Sequence, residues 1–209
     1  KTVANGGMAK NVHRNVLSIG ATADLFTNEN WAEITKTRFV DYKTNHMFMR
    51  LDNNDKKYGM CNIETIGFQE YSAIIISDYN KGFLPESVIR DISKSHPLTF
   101  LDTKKILGPW ANDISFIKIN NFEYNKTKYT LTDILSEKLI ITMGPDGCKY
   151  KETIYPVPQV EIKDSSGAGD TFIAALAFKY VETGDINKSI LFANKCATDV
   201  VQKRGVTTV

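Results

Sequence analysis

Cysteine and histidine are scarce in this chain, which contains only three of each among its 209 residues. Cys61, Cys148 and Cys196 are far apart and odd in number, so they indicate neither a disulfide framework nor a paired metal-ligand spacing. The histidines match no H-x-x-x-H or H-E-x-x-H pattern, which argues against a zinc enzyme. Scattered cysteines of this kind are typical of reduced thiols, and we expect a cytoplasmic protein.

The chain also lacks a charge excess and a long apolar run. Its 26 basic and 24 acidic residues give a formal net charge of +2, so no strong field indicates nucleic acid as a partner. No apolar run approaches the roughly 18 to 20 residues that a membrane-spanning helix needs, so no membrane partner is expected either. With 42% hydrophobic residues, the composition is that of an ordinary globular protein and argues against disorder.

What the sequence does contain is an alternation of strand and helix patterns. Short apolar runs predict buried strands at residues 71–77, 98–101, 115–119 and 139–143, and a proline-containing edge strand at 153–162. Helical spacing of apolar residues predicts helices at 8–19, 85–95, 171–181 and 187–203. This alternation predicts an α/β fold, a doubly wound and mostly parallel sheet flanked by helices, in one domain over residues 1–209. Ligands of such sheets bind beyond the carboxyl ends of the strands.

A different pattern lies before the first buried strand, at residues 38–52. Apolar residues lie on both sides of a polar break at 43–45, and after the break Met47, Met49 and Leu51 alternate strictly with other residues. Such alternation predicts a β-hairpin with one apolar face.

The loop at residues 164–170, with the sequence DSSGAGD, directly precedes a predicted helix. Gly167, Ala168 and Gly169 have little or no side chain, so the backbone there can approach a ligand closely. The free N–H groups and the dipole of the first helical turn make an anion site, which suits the terminal phosphate of a nucleotide. Asp170 in that turn is expected to stay ionised and to accept a proton from an attacking hydroxyl.

A structural explanation accounts for the same loop equally well on spacing alone. In that explanation the loop is a glycine-rich turn, and Asp170 only complements the helix dipole. The loop is neither a Walker A motif, since it lacks G-K-[ST], nor a dinucleotide fingerprint, since it lacks G-x-G-x-x-G. The spacing therefore leaves an anion site and a structural turn as alternatives.

The stretch DSSGAGDTF resembles the C-terminal signature of the ribokinase-like (PfkB-type) carbohydrate kinases, D-[ST]-x-G-A-G-D-x-[FV]. The resemblance implies that Asp170 is the catalytic base and that Gly167, Ala168 and Gly169 form an anion hole. It implies ATP and Mg²⁺ as cofactors, with a monovalent cation as a further candidate. It also gives the hairpin at residues 36–52 the role of a lid over the sugar and implies a homodimer that pairs through this lid.

Other segments resemble the D-glycero-D-manno-heptose 7-phosphate kinases within this family. Gly6-Gly7 with Asn11 resembles an N-terminal motif whose asparagine contacts sugar hydroxyls. The segment SDYNKG, which contains Asp78 and Lys81, resembles a substrate-binding segment. Four more segments follow the same pattern: KTR at residues 36–38, RLD at 50–52, LDTK at 101–104 and GVTTV at 205–209. The resemblance implies phosphorylation of the anomeric hydroxyl of heptose 7-phosphate, which gives the 1,7-bisphosphate of the ADP-heptose pathway.

Three cations in these segments suit the 7-phosphate of such a sugar. Arg38 and Arg50 can bind phosphate bidentately, and Lys81 supplies a point charge. Each also has an ordinary explanation: the arginines as solvated hairpin charges, and the lysine as a turn residue.

The remaining candidate residues lie on the nucleotide side. Asn120 and Glu123 resemble the family's N-x-x-E element, which organises Mg²⁺ and water near the phosphates, and one carboxylate suffices for such a site. The alternative is a polar loop after a strand. Thr142, Gly144 and Asn194 resemble nucleotide-binding positions, for which a strand-end turn and a helix surface are the alternatives.

The sequence departs from the family pattern at its start. The family normally begins with a strand that ends in Gly-Asp, so a central strand and a substrate ligand are expected to be missing here, and residues 21–35 form a shorter segment than usual. Two other hypotheses therefore stay open: another ribokinase-like sugar or nucleoside kinase, and an inactive nucleotide-binding module. The intact Asp170 argues against the inactive module, and the missing strand argues for it.

Overall fold

The structure is a computed structural model that describes residues 7–44, 46–54 and 60–209. The strands within these ranges are β1 (Thr35–Val40), β2 (Met47–Asn53), β3 (Ile74–Asp78), β4 (Thr99–Thr103), β5 (Phe116–Asn120), β6 (Leu139–Thr142), β7 (Cys148–Tyr150) and β8 (Thr153–Tyr155). The α-helices are α1 (Gly7–Ser18), α2 (Glu86–Ser95), α3 (Asn121–Thr127), α4 (Asp133–Ser136), α5 (Ala168–Thr183) and α6 (Ile186–Val201). The features expected at Lys1–Gly6 and Asn45 lie outside the described residues.

The main sheet has six strands in the order β3-β4-β5-β6-β7-β8. The first four strands pair in parallel, and β7 and β8 continue the sheet antiparallel. The prediction of a mostly parallel sheet flanked by helices is confirmed. All four predicted buried strands are present within a few residues of their expected bounds.

Two apolar clusters cover the two faces of this sheet. One contains Phe100 and Ile140 from the strands with Phe172, Ile173 and Ile190 from α5 and α6, all fully or almost fully buried. The second cluster lies on the other face and includes the apolar residues of α2. Successive side chains of a strand point to opposite faces, so each strand residue can be assigned to the α5 side or the α2 side.

The hairpin predicted at residues 36–52 is present as an antiparallel pair, β1 with β2. Its register places Lys36 opposite Asp52 and Arg38 opposite Arg50, and these four charged side chains share one face. The opposite face carries Phe39, Met49 and Leu51, each about half exposed. The hairpin is confirmed, and its function as a lid stays a prediction.

Two elements differ from the sequence expectation for identifiable reasons. The edge strand expected at residues 153–162 ends at Tyr155, because Pro156 and Pro158 cannot donate ladder hydrogen bonds. Helix α5 begins at Ala168 rather than Thr171, with Gly167 as its N-cap in the left-handed region at φ 86°. Asp170 is consequently the third residue of the helix.

Among the residues that the structure describes, no helix combines the length and the apolar character required to cross a membrane.

Candidate active site

The first turn of α5 presents backbone N–H groups at the carboxyl end of the main sheet. The first helical hydrogen bond runs from the Thr171 N–H to the Gly167 carbonyl, at 2.9 Å. The amides of Gly169 and Asp170 precede that bond and therefore have no acceptor within the helix. The turn thus has the unfilled donors and positive dipole end that an anion site requires.

Asp170 is buried in this turn and makes its closest polar contact with Asn11 of α1. The Asn11 Nδ2 donates to Asp170 Oδ2 at 2.7 Å, and both side chains are less than 10% exposed. Burial raises the pKa of the Asp170 carboxyl from 3.8 to about 6; the charge of Asp102 also raises it, while Asn11 and Lys118 act in the opposite direction. The carboxylate is thus less easily ionised than the helix dipole alone would make it. A pKa near 6 still leaves it mostly ionised at neutral pH, which suits a general base.

A ladder of amide and hydroxyl side chains joins α1 to α5 beside this carboxylate. The Thr171 Oγ1 donates to Asn15 Oδ1 at 3.0 Å, and the Asn15 Nδ2 donates to the Asn11 carbonyl at 2.9 Å. Asn15 and Thr171 are completely buried. The ladder fixes where α1 lies on α5 and so holds Asn11 against Asp170. Gly7, predicted to bind substrate, is the first residue of α1 and lies one turn before Asn11.

A buried ion pair lies below the turn, between neighbouring strands β4 and β5. The Lys118 Nζ lies 2.8 Å from Asp102 Oδ2, and the two side chains are 6% and 2% exposed. Burial by itself lowers the pKa of a lysine, but the charges of Asp102 and Asp170 outweigh it and hold the pKa of Lys118 above its ordinary value. Burial also raises the pKa of Asp102, although Lys118 opposes that shift. We treat Lys118 as charged, since two carboxylates adjoin it.

The charged face of the hairpin lies near the same cleft. Burial raises the pKa of Tyr79, which directly follows β3; Asp170 and Asp102 raise it further, and Arg50 and Arg38 lower it. The Lys36 Nζ of β1 lies 5.2 Å from the centre of the Tyr79 ring, within cation–π range. Tyr79 therefore adjoins both the hairpin cations and the carboxylates of the main sheet.

The three cations predicted to bind phosphate are exposed and close to one another. Arg38 and Arg50 are opposite each other in the hairpin. The Arg50 Nε donates to Asp52 Oδ1 at 2.7 Å. That hydrogen bond lowers the pKa of Asp52, and the charges of Lys36 and Lys81 lower it further, which places Lys81 near the hairpin. Their binding of a sugar phosphate stays a prediction.

Asp78, another predicted substrate ligand, is buried in a network of its own. Its carboxylate accepts hydrogen bonds from Thr103 Oγ1 at 2.7 Å, from Lys105 Nζ at 2.6 Å and from the Asn80 N–H at 2.9 Å. Alternation along β3 places Asp78 on the face opposite Ser77 and therefore on the α2 side of the sheet. This network fixes the loop that carries Tyr79 and Lys81, and contact of Asp78 with substrate stays a prediction.

Asn120 and Glu123 form a capping box at the start of α3. The Asn120 side chain accepts from the Glu123 N–H, and the Glu123 carboxylate accepts from the Asn120 N–H, each at 2.9 Å. The second Glu123 oxygen accepts from Lys104 Nζ at 2.6 Å. No group of three or more His, Cys, Asp or Glu side chains in the described ranges could hold a metal ion. One carboxylate acting through water suffices for Mg²⁺, so these residues fit that role only if the cation competes with Lys104.

A cavity of about 200 Å³ lies between α6 and the segment after β8. It is lined by Asn194, Leu191, Thr198, Pro156 and Pro158, among others. The Asn194 Nδ2 donates to the Tyr155 carbonyl at 2.9 Å, which fixes one wall of this cavity. Thr142 and Gly144, at and after the end of β6, do not line it. All three residues stay predictions as nucleotide ligands.

Comparison with known proteins shows which family and which fold this chain resembles. Residues 117–209 match the family described as pfkB family carbohydrate kinase. Similar solved structures include ribokinase from Thermotoga maritima, with a TM-score of 0.68 and 15% identity over 95% of this chain and 80% of that one. Another is phosphofructokinase-2 from Escherichia coli, with a TM-score of 0.64 and 13% identity over 94% and 81%. At these identities the likeness shows the fold, which is ribokinase-like.

Curated relatives are named "Bifunctional protein HldE". The protein from Nitratiruptor sp. is 27% identical over 205 residues, which are 86% of this chain and 44% of the relative. The protein from Aliarcobacter butzleri is 28% identical over 257 aligned positions, covering 97% and 54%. The chain thus spans about half the length of the curated relatives it matches. The predicted resemblance to the ribokinase-like (PfkB-type) carbohydrate kinases is confirmed by the family match over residues 117–209. The ribokinase-like fold extends over nearly the whole chain.

Sequence reasoning found the glycine loop, Asp170 and Asn11, which the structure brings together. It missed Asn15, Thr171 and the Asp102–Lys118 pair. One signal for the pair was available, because Lys118 is the single charge in FIKIN, a strand otherwise predicted to be buried. Its partner could not be read from the sequence, since that requires the register of β4 against β5.

Proposed function

We propose that this chain is a kinase domain that transfers the terminal phosphoryl group of ATP to the anomeric hydroxyl of D-glycero-D-manno-heptose 7-phosphate. The observation that carries the proposal is a buried carboxylate, Asp170, with a pKa of about 6 within the anion-binding turn of α5. The HldE relatives support the choice of sugar, although their identity is only 27–28%.

In this mechanism Asp170 takes the proton of the anomeric hydroxyl as that oxygen attacks the terminal phosphorus. A new oxygen–phosphorus bond forms, the bond between that phosphorus and the bridging oxygen of ATP breaks, and ADP leaves. The amides of Gly169 and Asp170 stabilise the charge on the phosphoryl oxygens during transfer. Asn11 holds the carboxylate in place from α1.

The nucleotide would occupy the cleft between α5 and the ends of β5 and β6, with its base in the cavity beside Asn194. Thr142 and Gly144 would lie along its phosphates. Mg²⁺ would bind the ATP phosphates and reach Glu123 and Asn120 through water, where it neutralises phosphate charge. A monovalent cation stays a further candidate.

Arg38, Arg50 and Lys81 would bind the 7-phosphate of the sugar. Arg38→Met is expected to raise KM for heptose 7-phosphate about 10- to 100-fold with a smaller change in kcat, because a charge-assisted contact of about 1.5–3 kcal/mol is lost. Initial rates of ADP release at varied sugar concentration measure the effect. Lys43→Met removes an exposed cation from the turn of the same hairpin and serves as the control. An unchanged KM for Arg38→Met would contradict this site for the phosphate.

Another ribokinase-like sugar or nucleoside kinase is the second candidate. The solved structures with this fold include kinases for ribose and adenosine, so the fold does not select the acceptor. A panel of acceptors decides, since a site built around three cations should ignore unphosphorylated ribose. Turnover of ribose at the rate of heptose 7-phosphate would exclude the specific proposal.

We further propose a homodimer through the hairpin. Its outer face exposes Phe39, Met49 and Leu51, which are 46–53% exposed and lie side by side. Met49→Glu is expected to lower the mass measured by sedimentation from two chains to one, because the charge would be buried between copies. Met60→Glu is the matched control, since Met60 is 67% exposed outside the hairpin. A wild-type mass of one chain would contradict the dimer.

A further inference from the structure

A row of three polar side chains crosses the main sheet directly below the first turn of α5. Ser77, Asp102 and Lys118 are paired neighbours in the parallel register of β3, β4 and β5. Two residues earlier on each strand, Ile75, Phe100 and Phe116 belong to the apolar cluster that packs on α5. Because side chains alternate along a strand, the polar row points to that same side. The change from apolar to polar thus occurs where the strands end under the anion-binding turn.

Stability does not account for this polar row. A buried ion pair is often no better than apolar residues of similar size, because the desolvation of both charges offsets their attraction. The Asp102 Oδ1 and the Ser77 Oγ are also buried without a hydrogen-bond partner among the described residues. Unpartnered polar atoms of this kind carry a free-energy cost. The cost of this buried charge is therefore better explained by a function at the site itself.

Lys118 reaches the anion-binding turn at Gly169. A Cβ atom added to Gly169 would lie 2.6 Å from the Lys118 Nζ and 3.6 Å from its Cε, so the ammonium occupies the space of a side chain at that position. Gly169 does not have a positive φ, unlike Gly167, so its backbone conformation does not require glycine. The contact with Lys118 is the steric reason for glycine here.

The Lys118 ammonium uses only part of its hydrogen-bonding capacity in its contact with Asp102. Of its three N–H donors, one has an acceptor in the part of the chain that the structure describes, Asp102 Oδ2 at 2.8 Å. The side chain is 6% exposed, so water cannot freely satisfy the other two. Asp102 holds the ammonium from the strand side, and the Nζ lies against the turn at Gly169. This is the arrangement of a fixed, desolvated cation beside an anion site.

We propose that Lys118 is a catalytic residue whose ammonium donates to the oxygens of the phosphoryl group in transfer, through the space left by Gly169, while Asp102 acts as the positioning residue. The proposal rests on the proposed phosphotransferase function. Lys118 keeps its protons throughout: the hydroxyl proton goes to Asp170, and the broken oxygen–phosphorus bond leaves with ADP. A cation held in a site without water stabilises developing phosphoryl charge more strongly than an exposed one.

The test compares ligands with and without a mimic of the transferring group. Removing Lys118 alone would leave Asp102 as an unpaired buried charge and threaten folding, so the variant is Lys118→Met with Asp102→Asn. Binding of Mg²⁺·ADP and of Mg²⁺·ADP with aluminium fluoride is measured by calorimetry. We expect Mg²⁺·ADP affinity within about 3-fold of wild type, and a loss of about 10- to 100-fold for the fluoride complex, the range of a charge-assisted hydrogen bond. Lys138→Met is the control, since Lys138 lies before β6 at the other end of the sheet and donates to the Asn112 carbonyl.

A second variant tests the same contact without removing either charge. Gly169→Ala places a methyl group where the ammonium lies and suits helical backbone, so folding should be retained. It is expected to show the same selective loss for the fluoride complex. Equal affinities of wild type and both variants for that complex would overturn the role of Lys118. A wild-type chain that binds the complex but phosphorylates no sugar would contradict the proposed function, while the comparison of variants still decides the role of Lys118.

Discussion

Replacement of Asp170 by asparagine is expected to lower kcat by about 100- to 10,000-fold, the range that a positioned general base contributes. The amide has the size of the carboxylate and can still accept the hydrogen bond from Asn11, so the geometry should survive. ADP release at saturating ATP and heptose 7-phosphate measures the effect. Asp133→Asn is the control, since Asp133 also lies in the first turn of a helix, α4, but is exposed.

The same variant should unfold no more easily than the wild type. The folded-state pKa of Asp170, about 6, lies above its ordinary value of 3.8, so ionisation is harder in the folded chain. Protonated Asp170 therefore stabilises the folded state relative to ionised Asp170. This stabilisation is fully present below about pH 4 and is lost as the pH rises through 6. At neutral pH asparagine avoids this cost, which is on the order of 1–3 kcal/mol. Thermal unfolding of both proteins separates a loss of catalysis from a loss of folding.

The pH dependence of kcat/KM tests independently whether Asp170 is the general base. The rate at low substrate, kcat/KM, should fall as the pH is lowered through about 6, because protonated Asp170 cannot accept a proton. This decrease of kcat/KM at low pH should be absent from the residual activity of the Asp170→Asn variant. If the asparagine variant turns over as fast as the wild type, catalysis does not use this carboxylate, and an inactive or differently organised nucleotide-binding module becomes the better explanation.

Replacement of Gly167 by alanine is expected to lower kcat about 100- to 1,000-fold, comparable to the loss of one donor of an oxyanion hole. Gly167 has a φ of 86°, and an added Cβ would lie 2.7 Å from the Asn11 Nδ2 and 3.2 Å from a methyl group of Val206. The Asn11 amide would have to move, and the position of Asp170 would change with it. Steady-state rates together with the unfolding midpoint measure the two consequences.

The chain offers a matched control for this substitution at the other end of the same helix. Gly184 also has a positive φ, 65°, but an added Cβ there would meet no atom within 4 Å. Both alanine variants should lose about 1–2 kcal/mol of stability, because each places a side chain in the left-handed region. Only the variant at Gly167 should lose activity. Equal kinetics for the two variants would mean that the N-cap of α5 does not organise the site.

The sequence predicted the parts of the fold that depend on local patterns. Each of the four parallel strands contains a short apolar run, and the two last helices have apolar residues at helical spacing, so each could be placed within a few residues. Strand β7 could not, since its three residues carry no periodic pattern and it exists through pairing with β6. Helix α3 was not predicted either, because its seven residues are too few to show an apolar periodicity; the role of Asn120 and Glu123 at Mg²⁺ stays a prediction.

The residues of the candidate site also fall into those that local sequence predicts and those that depend on tertiary packing. The glycine loop and Asp170 are contiguous in the chain, and a family signature could find them. Asn15, Thr171 and the Asp102–Lys118 pair depend on how helices and strands lie against each other, which local sequence does not encode. The raised pKa of Asp170 is of the same kind, because it results mainly from burial beneath elements that are remote in sequence.

The hydrogen bond between Asn11 and Asp170 joins residues 159 positions apart. Closing so large a loop is entropically unfavourable and slow, so this contact is expected to form late in folding. The carboxylate acquires its altered basicity only when helix α1 has docked on α5, and a chain emerging from the ribosome lacks it until then. Phosphoryl transfer would therefore begin only in the fully folded domain, and an incompletely folded domain would not hydrolyse ATP.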